Sequence, residues 1–143
     1  MKQEEIVKIV NKVYPLISKD NNSYAKIEYY HNIYERLSGV KGMTGEVCAH
    51  AEYDWLLCKI YIYTSRMKSI EDIIRSLIHE CVHSTQPKVL FDKYYKDGET
   101  YDTHPYEIEA KNAEEEWEIY LNEIEKYEKT NDWSNGSCDA ICL

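Results

Sequence analysis

Apolar residues along this chain change their period twice, and the changes mark out its elements. Between residues 3 and 18, Ile6, Ile9, Val10, Val13, Leu16 and Ile17 recur at three- and four-residue steps, the spacing of one helix face. Pro15 is expected to kink or end that helix. Asn21, Asn22 and Ser23 supply turn and capping chemistry. A second helix is predicted from Tyr24 to Leu37, with Ile27, Tyr30, Tyr34 and Leu37 on one side and Gly39 as its stop. Past Gly42 and Gly45 the period falls to two. Val47, Ala49, Ala51 and Tyr53 alternate with Cys48, His50 and Glu52, which predicts a strand over 46–53. Asp54 marks a turn, and Trp55 to Tyr63 (WLLCKIYIY) reads as a second strand of a hairpin.

The helical period then returns from Ile70 to Gln86, IEDIIRSLIHECVHSTQ. Ser69 with Asp72 three residues on predicts an N-cap with a capping box. Ile70, Ile73, Ile74, Leu77, Ile78 and Cys81 fall within roughly 80° of one direction at about 100° per residue. His79 and His83 fall near 180° and 220°, and Glu80 near 280°, on the same reckoning of about 100° per residue. Pro87 must end this helix, and residues 84–104 are predicted as a long connection containing Phe91, Tyr94, Tyr95 and Tyr101. A last helix opens at His104-Pro105 and runs to about Lys129, with Tyr106, Ala110, Ala113, Trp117, Leu121 and Ile124 as its buried stripe. The tail, 130–143, is turn-rich. The expected class is α+β: N-terminal helices, a short antiparallel sheet or hairpin, a central helix and a long C-terminal helix in one domain, 1–143.

Composition alters this picture in few places. The net charge is −9 with no basic run, so nucleic acid is an unexpected partner, because a phosphate-backbone binder clusters Lys and Arg. The chain has 14 tyrosines against one phenylalanine, which suits a shallow core bordering a wet groove. The first residues carry acids early and no continuous apolar run, against a signal peptide, and no segment is long enough for a membrane span. A cytoplasmic location is expected. The five cysteines are expected as reduced, mostly buried thiols, Cys48 and Cys58 in strands and Cys81 on the central helix. Cys138 and Cys142 offer only a weak C-x-x-x-C spacing. His31 and His50 are expected to be structurally neutral, and Glu114 to Glu116 with Glu118 to be a solvated face.

The chemistry lies in the central helix. His79-Glu80-Cys81-Val82-His83 is an H-E-x-x-H pattern, which arises by accident in about 2% of chains of this composition. Four residues apart on a helix, both imidazoles reach one ion, and Glu80 stands close enough to act on a water there. Two His leave room for one more protein donor and a water on Zn²⁺. The last helix offers Glu107 and Glu109, with His104 before it. Glu107 and Glu109 differ by about 200° around a helix, so only one points at the ion. Glu109 lies nearer the buried stripe, one turn before the small Ala113, and is preferred; Glu107 and His104 remain alternatives.

His79-Glu80-Cys81-Val82-His83 followed by Glu109-Ala110-Lys111-Asn112-Ala113 resembles the gluzincin branch of zinc metallopeptidases. Glu107-Ile108-Glu109-Ala110 after a proline is similar to the small zincins of phages and mobile elements, including the repressor-cleaving type. The resemblance covers about Glu46 to Lys126. It implies a minimal zincin-like domain with zinc at His79, His83 and Glu109, and Glu80 as general base and later proton donor. It also implies an edge strand, 46–53 or 55–63, that aligns an extended protein or peptide substrate. The chain departs from the large thermolysin-like enzymes in lacking an evident downstream His that steadies the transition state; His104, Tyr94, Tyr95 and Tyr101 are the candidates. Zinc-dependent peptide hydrolysis, by a zinc-bound water with Glu80 as base, is therefore the expected function. A zinc-carrying, protein-binding regulator and a purely structural metal are the rival readings. No pattern specifies the substrate-binding residues or the oligomeric state.

Overall fold

The core forms where one helix is packed on several sides at once. The structure, a computed structural model, describes residues 1–43 and 49–126. Its elements are α1 (Gln3–Asn21), β1 (Lys26–Tyr30), α2 (Ile33–Ser38), β2 (Ala51–Asp54), β3 (Lys59–Tyr63), α3 (Ile70–Ser84), α4 (Lys88–Lys96), α5 (Pro105–Ala113) and α6 (117–126). The mixture of helices with one small sheet is α+β. Ile6, Val10, Val13 and Ile17 of α1 meet Ile73, Ile74, Leu77 and Ile78 of α3, while Ile60 and Ile62 of β3 and Tyr120 and Ile124 of α6 complete the cluster. Helix α3 also packs against β2 and α5, which places its second face under cover. Truncating Leu77 to Ala at this fully buried position is expected to cost about 2–5 kcal/mol, read by urea unfolding.

Five predicted elements differ. Helix α1 runs straight through Pro15 to Asn21. Pro15 lies on the exposed side, where water can satisfy the carbonyl released one turn earlier. The helix ends on Asn22, left-handed at φ 49°, whose N–H returns to the last carbonyls.

The second predicted helix, Tyr24 to Leu37, is instead strand β1 followed by the single short helix α2. β1 pairs in parallel with β3, Lys26 opposite Lys59 through Tyr30 opposite Tyr63. Asn32 caps α2 by accepting from the Glu35 N–H at 2.9 Å, and Glu35 Oε2 accepts from the His31 N–H at 3.2 Å. Leu37, placed on one side of the predicted helix with Ile27, Tyr30 and Tyr34, is 67% exposed.

The hairpin is present but shorter than predicted. β2 and β3 are antiparallel, Ala51 opposite Ile62 and Asp54 opposite Lys59, and residues 55–58 make the turn. Asp54 Oδ1 draws that turn closed by accepting from the N–H groups of Leu56 and Leu57. Cys58 adopts φ 52° there and is exposed, correcting the expectation of a buried strand thiol; Cys81 is buried as expected. The sheet order is β1-β3-β2, so β3 is central and β2 lies at an edge.

The predicted connection 84–104 contains helix α4, and the last helix is broken by a 3₁₀ turn at Glu114–Glu116 before α6. Cys48 and the start of the predicted first strand, the end of the last helix beyond 126, the tail, Cys138 and Cys142 lie outside the described residues.

Candidate metal centre

Helix α3 holds its position through a reciprocal cap. Ser69 accepts from the Asp72 N–H, and Asp72 Oδ2 accepts from the Lys68 N–H at 2.9 Å. Ile73, Ile74, Leu77, Ile78 and Cys81 face the core, and the helical period turns His79, Glu80 and His83 toward β2 and α5. All three are buried, with ligating atoms within 4.8 Å of one another. The two imidazole rings stand 4.6 Å apart.

Each imidazole is oriented from behind. His79 Nδ1 donates to Glu114 Oε2 at 2.7 Å, and His83 Nδ1 donates to Gln86 Oε1 at 2.7 Å. The Gln86 amide is itself set, because its Nε2–H donates to the Tyr106 carbonyl at 3.0 Å and leaves Oε1 as the acceptor. With both Nδ1 atoms committed as donors, the Nε2 atoms are the ones free to ligate. Both approach one carboxylate oxygen: Glu107 Oε1 lies 2.5 Å from His83 Nε2 and 3.6 Å from His79 Nε2.

Two buried carboxylate oxygens stand in this cluster: Glu80 Oε2 has no hydrogen-bond partner among the described residues, and Glu107 Oε1 has no polar neighbour of hydrogen-bond geometry beyond its close approach to the two Nε2 atoms. Orphaned buried acceptors are costly and uncommon, and here they border two imidazole nitrogens. Two His nitrogens and one carboxylate are a donor set that suits Zn²⁺. The residues present therefore fit a divalent cation.

Electrostatics follow from burial and crowding. Burial pushes the Glu80 carboxyl up to about 7, against the pull of the neighbouring His83 and His79. For His79, burial works to lower the pKa, but contact with Glu107 and Glu114 overrides it and raises the value to about 10. Glu107 is the counterpart: burial raises it, and His79 and His83 more than offset that, holding it down at about 2.

This geometry brings Glu107, not the preferred Glu109, to the imidazoles. Glu109 is exposed, while Glu107 is buried and is the residue that meets the imidazoles. Within α5 the buried residues are Glu107 and Ala110 while Tyr106 is only partly buried, so the inward face lies toward Glu107 and not where a stripe centred on Tyr106 and Trp117 puts it. The 3₁₀ turn at Glu114–Glu116 further shifts Trp117 out of register with α5. His104 is fully buried with both ring nitrogens in use. Its Nε2–H donates to the Phe91 carbonyl at 2.8 Å, and its Nδ1 accepts from the Tyr106 N–H as the N-cap of α5. It is a brace between α4 and α5, not a ligand or a donor into the cleft.

Gln86 and Glu114 are the members that sequence reasoning missed. Glu114 was counted in a solvated acidic run, yet it falls seven residues after Glu107 on the inward side. Gln86, a polar residue just past the helix end and before Pro87, carried a faint signal only.

The cluster opens on a cleft of about 740 Å³. One side is α3, another is the chain from Ala49 through β2, and the rest comes from Trp55, α4, Tyr101 and α5. His50 lines it, half-buried, whereas His31 is exposed and outside it. Tyr94 meets His104 and Tyr106 edge-on rather than bordering the cleft; Tyr95 and Tyr101 do border it. On β2, Glu52 accepts from Arg36 Nη2 and from the Tyr63 hydroxyl, both at 2.8 Å, which anchors the strand beside the cluster. The Tyr63 N–H bonds to the His50 carbonyl, so antiparallel alternation points the peptide groups of Ala51 and Tyr53 away from β3.

Comparison of the chain with protein-family models, with curated proteins and with solved structures finds no match. No helix among the described residues is long and apolar enough to cross a membrane.

Proposed function

We propose that this chain is a zinc-dependent metallopeptidase of gluzincin type, with His79, His83 and Glu107 as the metal ligands. One observation carries the reading. Two imidazoles braced at Nδ1 by Glu114 and Gln86 turn their Nε2 atoms to one oxygen of the buried Glu107 carboxylate, with the unpartnered Glu80 Oε2 beside them. When bound, Zn²⁺ supplies a Lewis acid for the scissile carbonyl and lowers the pKa of water to about 7. Glu80, buried and raised to about 7, is matched to take a proton from the attacking water and return it to the leaving amine. The outward peptide groups of Ala51 and Tyr53 are suited to pair with an extended substrate backbone and hold it across the cluster. Cys81 faces the core, so the nearest thiol in sequence does not join the donor set, which favours an open catalytic site over a closed structural one.

The zinc-loaded protein, incubated with a mixed peptide library, is expected to cleave it, to stop on chelation and to recover when zinc is returned. A library left intact by fully zinc-loaded protein sinks the hydrolase reading. The bracing residues make a graded case. Glu114→Ala and Gln86→Ala are each expected to weaken zinc binding by about 10–100-fold while leaving the fold intact, read by competition with a zinc-sensitive dye.

A further inference from the structure

The cleft is unlike at its two ends. Along α3, the His79 end carries the polar Ser76, with Glu114 and Lys111 across from it. The His83 end is closed by rings. Trp55 and Phe91 lie 5.8 and 5.2 Å from the His83 ring and 4.7 Å from each other. Tyr53 meets Trp55 edge-on at 5.1 Å, and Tyr95 meets Phe91 at 5.4 Å. None of the four rings is fully buried, and all four line the cleft.

The polar groups of Trp55 and Tyr95 are occupied. The Trp55 Nε1–H donates to the Gln86 carbonyl at 3.0 Å, so the residue that orients His83 also fixes the indole. The Tyr95 hydroxyl reaches Glu107 Oε2 at 3.4 Å, which leaves its ring as wall. Pre-set, partly exposed rings beside a polar cluster form an apolar side-chain pocket, because a ligand side chain placed there removes ring surface from water at little ordering cost.

We propose that this end is a specificity pocket for an aromatic or large aliphatic side chain adjoining the carbonyl that the cluster acts on. The assignment rests on the peptidase reading above and adds the substrate class: peptides with a bulky apolar residue at the reacting bond. Ring faces also attract cations, so lysine is the competitor that must be excluded.

The hydroxamates of N-acetylglycine, N-acetylphenylalanine and Nα-acetyllysine serve as probes, titrated calorimetrically into the zinc-loaded protein. The phenylalanine compound is expected to bind ten-fold or more tighter than the glycine compound, and the lysine compound no tighter than glycine. Trp55→Ala is expected to cut the phenylalanine-to-glycine ratio below three-fold with zinc content and glycine hydroxamate affinity unchanged. Phe91→Ala, which leaves the indole hydrogen bond in place, gives the same test should the first variant fail to fold. Equal binding of glycine and phenylalanine, or a preference for lysine, overturns the pocket while leaving the metal centre standing. Binding of none of the three by zinc-loaded protein overturns the metal-centred reading and the pocket with it.

Discussion

Glu80→Gln is expected to retain zinc and lose peptide hydrolysis by about 10²–10⁴-fold, the range associated with a positioned general base. The amide keeps the size of the carboxylate and removes its charge and its capacity to take a proton. The site as it stands is costly. A buried carboxylate with an oxygen left unpartnered is tolerated against its own stability, and such local conflicts are typical of groups kept for chemistry. Zinc content by elemental analysis, measured beside turnover of a library-derived peptide, separates the two effects. Undiminished cleavage by the variant removes Glu80 from the mechanism.

The same substitution carries a stability signature in chelated protein. The Glu80 carboxyl titrates near 7 when folded and at the ordinary 4.5 when unfolded. Between those values the folded state holds a proton that the unfolded state has released, so this residue makes stability fall as pH rises through the window. At about 1.4 kcal/mol per pH unit, the full cost above pH 7 is on the order of 3 kcal/mol. Metal-free Glu80→Gln should therefore melt above metal-free wild type at pH 8 and close to it at pH 4. His79 and Glu107 titrate in both proteins, and because the Glu80 charge helps raise His79, the difference between the two melting profiles reads Glu80 together with that coupling. A variant less stable than wild type at pH 8 contradicts the assigned burial.

What was legible in the chain was local. Ser69 and Asp72 announce the start of α3, the isoleucines announce its buried side, and His79 and His83 follow from a period that tertiary structure leaves intact. What failed depended on partners distant in sequence. β1 is a strand because β3 pairs with it from more than thirty residues away, and Ile27, Tyr30, Tyr34 and Leu37 matched a helical period only by coincidence. The Asn32–Glu35 cap was readable and marks where the real helix begins. Glu114 and Gln86 acquire their roles only once α5 lies across α3, a placement that no spacing in the sequence encodes.

The choice between the two carboxylates of α5 gives the second large effect. Glu107→Gln is expected to lose zinc by more than the roughly 10–100-fold of an outer bracing residue, because the donor itself becomes a neutral amide. Glu109→Gln is expected to leave zinc affinity unchanged and stability within about 0.5 kcal/mol, as befits an exposed helix position. The amide is preferable to alanine at 107. Truncating that side chain leaves a cavity and strips both imidazoles of a buried polar neighbour, whereas the amide keeps the volume and an acceptor oxygen in the same place. Zinc lost by unfolding would then be mistaken for zinc lost by ligand removal. Dye competition with circular dichroism on the same samples keeps the two apart: Glu107→Gln should remain helical and bind zinc poorly. Zinc retained in Glu107→Gln and lost in a folded Glu109→Gln would return the ligand role to the exposed residue and refute the centre described here.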